Sequence, residues 1–304
     1  MDIEEQLPSP LQSVSHGLLK QKNIHLFIKR DDLIHDKVSG NKYRKLKYNL
    51  TKLKSEGILQ VISFGGAFSN HIHALAAACQ YTQIQAIGII RGELDLNNPT
   101  LKYCTEAGMI LIPVTRGAYR LKEKSLEVQR IIDLYPGAAV IPEGGTNELA
   151  LYGVGEILDE IIMEPIPTPD YFVLAGGTGG TTAGLLNSDN LASKVICFSA
   201  LKSDHLQHEI LRLAHNRNEH LLIVNHDYHF GGYAKWNAEL CAFIDQFETE
   251  TNIPLDHVYN GKAMYGLMDL IEKNYFTEGS NIVYIHTGGL QGKNGLTYMQ
   301  QKLE

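Results

Sequence analysis

Cysteine is scarce in this sequence: four in 304 residues, at Cys79, Cys104, Cys197 and Cys241, with no C-x-x-C pair. That spacing indicates neither a disulfide frame nor a zinc knuckle and leaves reduced, buried thiols as the expectation. Long apolar runs are absent too, none reaching the ~18 residues of a spanning helix. The start, Met1-Asp2-Ile3-Glu4-Glu5, is acidic where a secretory signal is basic and then apolar, so a cytoplasmic protein with no membrane partner is expected. Positive charge is likewise short: 27 Lys and Arg stand against 34 Asp and Glu, a net charge of −7, with no basic block to neutralise a row of phosphates. Nucleic acid is therefore not an expected partner. There is no internal repeat and no low-complexity tract.

What is present is an ordinary globular composition, 44% apolar and 20% charged, long enough for two lobes or one large α/β domain. Short apolar runs at Val61–Phe64, Ala86–Ile90, Ile110–Val114, Tyr171–Ala175, Val195–Ser199 and Ile282–Ile285 read as strands buried on both faces. Between them Lys42–Ser55, His71–Tyr81, Pro99–Ala107, Leu121–Leu134 and Trp236–Phe247 carry helical spacing of apolar residues. The alternation predicts an α/β fold of open, mostly parallel sheets with helices on both faces. The stretch from Met163 to Pro169 alternates prolines with other residues and reads as a stiff extended connection, a candidate boundary between lobes.

Three clusters carry candidate chemistry. Gly176-Gly177-Thr178-Gly179-Gly180-Thr181 follows the Tyr171 strand and opens onto a stretch that can be a helix. Glycines let backbone amides approach an anion and a helix N-terminus adds partial positive charge, so a phosphate is the natural guest. The Lys-Ser/Thr of a nucleotide P-loop is missing, as is the acidic residue ~20 positions on that a dinucleotide site needs. Taken alone, the loop also reads as a tight turn needing positive φ.

In the second cluster, Lys29-Arg30-Asp31-Asp32-Leu33 precedes Ser39-Gly40-Asn41-Lys42-Tyr43-Arg44-Lys45-Leu46, where an amphipathic helix begins. Ser39-Gly40-Asn41 supplies capping chemistry that puts Lys42 at the helix start. A lysine amine becomes a nucleophile only when desolvation or neighbouring cations lower its pKa, and Arg44 and Lys45 are candidate neighbours. A solvated lysine face is the alternative. The third cluster, Phe64-Gly65-Gly66-Ala67-Phe68-Ser69-Asn70-His71, again joins a strand to a helix. Ser69 and Asn70 are N-cap types, and the same geometry offers amides to a carboxylate and the Asn70 side chain to a ring oxygen. Ser69 near His71 raises a serine hydrolase, but the G-x-S-x-G elbow and a partnered acid are missing. His71 and His73, two apart on a helix, cannot both face one metal, so no metal site is expected.

Together with V-Y-N-G-K-A-M-Y-G-L at Val258–Leu267 and H-T-G-G-L at His286–Leu290, these clusters in this order resemble the fold-type-II pyridoxal-phosphate enzymes related to the tryptophan synthase β chain. More narrowly, from about Leu7 to Gly292, the sequence resembles the D-cysteine desulfhydrase and 1-aminocyclopropane-1-carboxylate deaminase family. The resemblance implies pyridoxal 5'-phosphate held as a Schiff base on Lys42, which later moves the substrate's α-proton. It implies Asn70 on the cofactor's 3-hydroxyl, and Ser69 with the amides of Asn70 and His71 on the substrate carboxylate. Gly177, Thr178, Gly179, Gly180 and Thr181 would hold the phosphate, and Tyr259 and Tyr233 would line the substrate pocket, Tyr259 as acid or base.

At the position beside the pyridine nitrogen the deaminases carry glutamate and the desulfhydrases usually threonine; this chain has Asn260. A carboxylate keeps that nitrogen protonated and deepens the electron sink more than a neutral amide does. Asn260 thus weakens the expectation of cyclopropane opening and is compatible with loss of a good β leaving group such as thiolate. A second departure is the tail, where Gln291, Lys293 and Asn294 surround Gly292 in place of more apolar residues. The resemblance also implies two lobes, a small inserted α/β lobe over 57–147 and a larger one of 1–56 plus 148–304, with the cofactor in the cleft, and a homodimer. The expected activity is α,β-elimination from D-cysteine or a similar small β-substituted amino acid, giving keto acid, ammonia and thiol. Deamination of a cyclopropane amino acid, racemisation and, outside enzymes, non-catalytic binding of a phosphate ligand are the alternatives.

Overall fold

The computed structural model describes residues 5–301; Met1–Glu4, the acidic start noted above, and the side chain of Asn294 lie outside the described residues. Two open sheets are built from β1 (Leu11–Ser13), β2 (His25–Lys29), β3 (Gln60–Gly65), β4 (Gln85–Arg91), β5 (Ile110–Val114), β6 (Ala139–Val140), β7 (Tyr171–Gly176), β8 (Lys194–Ser199), β9 (Leu222–Asn225) and β10 (Asn281–Ile285). The chain divides into two compact units, each holding one sheet: His35–Gly153 with the segment from Gln291, and Gln6–Ile34 with Val154–Leu290. Among the described residues no helix is long and apolar enough to cross a membrane.

In the first unit the sheet runs β5-β4-β3-β6, all parallel. Ile62 and Phe64 of β3 and Ile87 and Ile89 of β4 pack with Tyr119 and Val128 into its core. Gly65 lets β3 turn directly into the helix Asn70–Thr82: a Cβ there would fall 2.3 Å from Ile72 Cγ1. This unit is wider than the 57–147 expected, because the helix Asn41–Ser55 buries Tyr43, Leu46, Leu50 and Leu53 and packs on the helix Asn70–Thr82 and the turn Glu143–Gly145. Lys42 therefore shares a unit with the loop after β3. The expected helix over 121–134 is broken into Arg116–Leu121 and Leu126–Asp133, since Lys122 takes φ 51° and Ser125 is extended.

In the second unit the order is β1-β2-β10-β7-β8-β9, parallel except for the antiparallel β1–β2 pair. Val173, Ile196, Phe198 and Tyr284 meet Met264, Leu267 and Ile271 of the helix Asn260–Glu272 and Leu240, Ile244 and Phe247 of the helix Ala238–Thr251. Each such fully buried apolar side chain contributes about 1.5–3 kcal/mol. The helix expected from Trp236 starts at Ala238 because the Asn237 side chain accepts from Leu240 N at 2.9 Å. The proline-rich stretch from Met163 to Pro169 links the helix Glu148–Ile162 to β7 inside this unit and so does not part the units. The charged run that ends β2 is a closed network. Lys29 Nζ lies 2.6 Å from Glu160 and 2.5 Å from the Ser9 carbonyl, Arg30 forks onto Asp32 at 2.8 and 2.7 Å, and Asp31 accepts from Ser9 Oγ at 2.7 Å.

Candidate active site

In the first unit, Lys42 is the second residue of the helix Asn41–Ser55. The N-cap is Gly40, at φ 65° and ψ −144°, which has no side chain to cap with. Instead Asn41 Oδ1 accepts from Lys42 Nζ at 3.0 Å, the amine's one hydrogen bond among the described residues. Desolvation lowers the Lys42 pKa from 10.5 to about 8. Burial, and not the neighbouring cations, is thus the cause. The effect of the pair runs the other way, since burial and then the Lys42 charge push Lys45 well below the usual lysine value. Lys45 Nζ donates to Thr146 Oγ1 at 3.2 Å.

Ser69 caps the helix Asn70–Thr82, its Oγ accepting from Ile72 N at 3.3 Å while its own N–H donates to the Gly66 carbonyl at 3.0 Å. The N–H groups of Asn70 and His71, in the first helical turn, meet no acceptor among the described residues, and the Asn70 side-chain amide is also unengaged. The His71 ring turns away from Ser69 and meets Ser63, Nε2 to Oγ at 2.7 Å, so Ser69 and His71 are not a hydrolase pair. His73 stacks on Tyr103, ring centroids 4.2 Å apart.

In the second unit, β7 runs into the loop of the first cluster and the helix Gly180–Leu186. Glycine is required sterically here. A Cβ at Gly177 would lie 2.9 Å from Tyr259 Cε1, and one at Gly179, which has φ 78°, would lie 2.7 Å from Ile210 Cγ1. The N–H groups of Gly179 and Gly180 meet no acceptor among the described residues; Thr178 is exposed and Thr181 buried.

Tyr259 precedes the helix Asn260–Glu272, with the Tyr233 ring 6.2 Å away and inclined at 61°. Both are set by residues that sequence reasoning missed. The buried Asp256 carboxylate accepts from Val258 N at 2.9 Å, Tyr259 N at 2.7 Å, Asn260 N at 2.9 Å and Asn260 Nδ2 at 2.9 Å. An aspartate placed just before a helix start was the available signal. Lys262 Nζ donates to the carbonyls of His229 at 2.8 Å and Gly232 at 2.7 Å, pinning the backbone that leads into Tyr233. Asn260 is fully buried. Its second amide proton goes to the Gly288 carbonyl at 2.8 Å, and Oδ1 accepts from Tyr284 Oη, Thr287 N and Thr287 Oγ1 at 3.2, 3.2 and 3.3 Å. No amide proton is left for a ring nitrogen, so Asn260 acts here as a strut between its helix and the end of β10.

A desolvated lysine amine poised near neutrality and two glycine-gated helix starts with unspent N–H groups, on open parallel sheets, define a fold-type-II pyridoxal-phosphate enzyme. The family model for pyridoxal-phosphate dependent enzymes matches residues 5–288, and the chain belongs to that family. Its cofactor is pyridoxal phosphate. The chain is 30% identical to a putative 1-aminocyclopropane-1-carboxylate deaminase of Pyrococcus horikoshii, over 93% of this chain and 90% of that protein. It is 32% identical to the mitochondrial bifunctional D-cysteine desulfhydrase/1-aminocyclopropane-1-carboxylate deaminase of Arabidopsis thaliana, over 88% and 73% respectively. A crystal structure of an ACC deaminase homologue superposes with TM-score 0.84 at 27% identity, covering 99% of this chain and 95% of that one.

The residues present fit the cofactor. An aldehyde condenses with an unprotonated amine, the form that desolvation favours at Lys42. A phosphate needs N–H donors at close approach, and side chains at 177 and 179 would block the loop that offers them.

Proposed function

We propose that this chain is a carbon–sulfur lyase that performs α,β-elimination on D-cysteine or a similar small β-substituted amino acid, releasing keto acid, ammonia and thiol. The observation that carries the reading is Asn260: at the position where the resembling deaminases hold a carboxylate, this chain has a neutral amide whose polar atoms are spent within the protein. Bound pyridoxal phosphate supplies the electron sink for the α-carbon. Without a carboxylate to strengthen that sink, a substrate with a good leaving group is the better match.

Lys42 would hold the cofactor through Nζ, and the same amine would take the α-proton. Ser69 Oγ and the N–H groups of Asn70 and His71 receive the substrate carboxylate, which fixes the bond to be broken. The Asn70 amide engages the cofactor's 3-hydroxyl, and Gly177, Thr178, Gly179, Gly180 and Thr181 hold its phosphate. Tyr259 and Tyr233 line the substrate pocket, and the Tyr259 hydroxyl passes a proton to the leaving group. Asn260 keeps Tyr259 and the β10 end in place. A cytoplasmic homodimer is part of the same reading.

A panel of D- and L-amino acids with 1-aminocyclopropane-1-carboxylate, assayed for sulfide, 2-oxobutanoate and chirality, tests this. D-cysteine is expected to yield sulfide, keto acid and ammonia in equal amounts. Production of 2-oxobutanoate at comparable kcat/KM, or inversion without ammonia release, overturns it.

A further inference from the structure

Lys262 is buried, 1% exposed, and among the described residues no carboxylate is paired with its amine. A lysine buried without an acid partner is costly, so the bonds it does make show what it serves. Both go to one segment, the carbonyls of His229 at 2.8 Å and Gly232 at 2.7 Å, which lie 33 and 30 residues earlier in the chain.

That segment is a strained arm. Phe230, Gly231, Gly232 and Ala234 take φ of 51°, 91°, 110° and 51°, all in the left-handed region, although Phe230 and Ala234 carry side chains. Two turns shape it, Gly232 N donating to the His229 carbonyl at 3.0 Å and Lys235 N to the Gly232 carbonyl at 3.2 Å. The carbonyl that closes each turn is the one that also accepts from Lys262 Nζ, so a single amine brackets both turns. The arm rests as well on the chain after β8, where a Cβ at Gly232 would lie 3.4 Å from Lys202 Cβ. Tyr233 falls within the second turn, 43% exposed, with its ring 6.2 Å from that of Tyr259. Tyr259 in turn precedes the helix Asn260–Glu272, which carries Lys262. One side chain therefore ties the arm that bears the first ring to the helix start that bears the second.

We propose that Lys262 is a specificity-determining positioning residue: by holding the Tyr233 arm to its helix it fixes the gap between Tyr233 and Tyr259, and so confines the substrate's β-substituent to small groups. The inference rests on the proposed place of both tyrosines in the substrate pocket. Without the amine, nothing on the helix side enforces the left-handed backbone at Phe230 and Ala234, and the arm relaxes.

Two measurements test this. In cofactor-free protein, Lys262→Met, which keeps a long side chain but removes its donors, is expected to speed amide hydrogen exchange at Gly232 and Lys235 and to leave β7 and β8 as protected as before. Unaltered exchange at both amides in the folded variant overturns the proposal. In the holoenzyme, the ratio of kcat/KM for D-cysteine to that for S-methyl-D-cysteine is expected to fall about tenfold in Lys262→Met, through KM more than kcat. Tyr233→Ala is expected to lower the ratio as far, and the double variant no further than either single change. A ratio that falls in Tyr233→Ala but holds in Lys262→Met sinks the Lys262 role alone. A ratio that holds in Tyr233→Ala sinks the placing of Tyr233 in the pocket, and the proposal with it. Should the parent enzyme not turn over D-cysteine, the proposed function falls, while the exchange measurement still decides whether Lys262 holds the arm.

Discussion

Asn260 Nδ2 stands 2.9 Å from Asp256 Oδ2, so the amide at the start of the helix Asn260–Glu272 is tied to a buried carboxylate. A glutamate at 260 would set a second carboxylate against the first, and like charges at that range raise a pKa or break the packing. Asn260→Glu is therefore expected to lower the melting temperature by several degrees, equivalent to about 1–3 kcal/mol, and to confer no deaminase activity. Thermal melts and a 2-oxobutanoate assay check both halves.

Gly179 combines a left-handed backbone with a 2.7 Å approach to Ile210. Gly179→Ala is expected to weaken cofactor retention at least tenfold while the second unit still folds. Spectrophotometric titration of cofactor-free protein with pyridoxal phosphate measures it.

The Lys42 pKa of about 8 sets the pH dependence of cofactor uptake. Only the unprotonated amine reacts, so the uptake rate is expected to climb with pH and level off above about 8 rather than near 10.5. The folded value is depressed, so between those two pH values the unfolded chain holds the extra proton, and the cofactor-free protein should gain stability as pH rises. Stopped-flow absorbance and denaturant titrations across that window report the two effects.

Acid acts through His71 and His73, which burial lowers from 6.5 to about 3 and about 4. The unfolded chain takes up their protons first as pH falls below 6.5, so stability present at neutral pH is lost progressively through this range. At pH 5 each should cost about 1–2 kcal/mol relative to pH 7. A His73→Phe variant, able to keep the stack on Tyr103, is expected to lose less between the two pH values than the parent.

The sequence made the parallel strands legible because burial on both faces writes continuous apolar runs; β5 occupies Ile110–Val114 as read, and β3, β4, β7, β8 and β10 extend by a residue or two. β2 was not legible, since it ends in Lys29, a charged residue whose burial depends on Ser9 and Glu160, remote in the chain. The break at Lys122 was hidden because helical spacing resumes beyond it. In the candidate site, residues flanked by glycine were conspicuous and their supports were not. Ser63 matters through Ile141, and Asn260 through Tyr284, Thr287 and Gly288, pairings that exist only after the sheets form.

The central claim is that the Lys42 amine carries the cofactor. Borohydride reduction of the holoenzyme followed by peptide mapping measures this directly: one phosphopyridoxyl group on the peptide holding Lys42 is the expected result. A label on Lys45 or Lys262, or no covalent label in fully loaded protein, would contradict it.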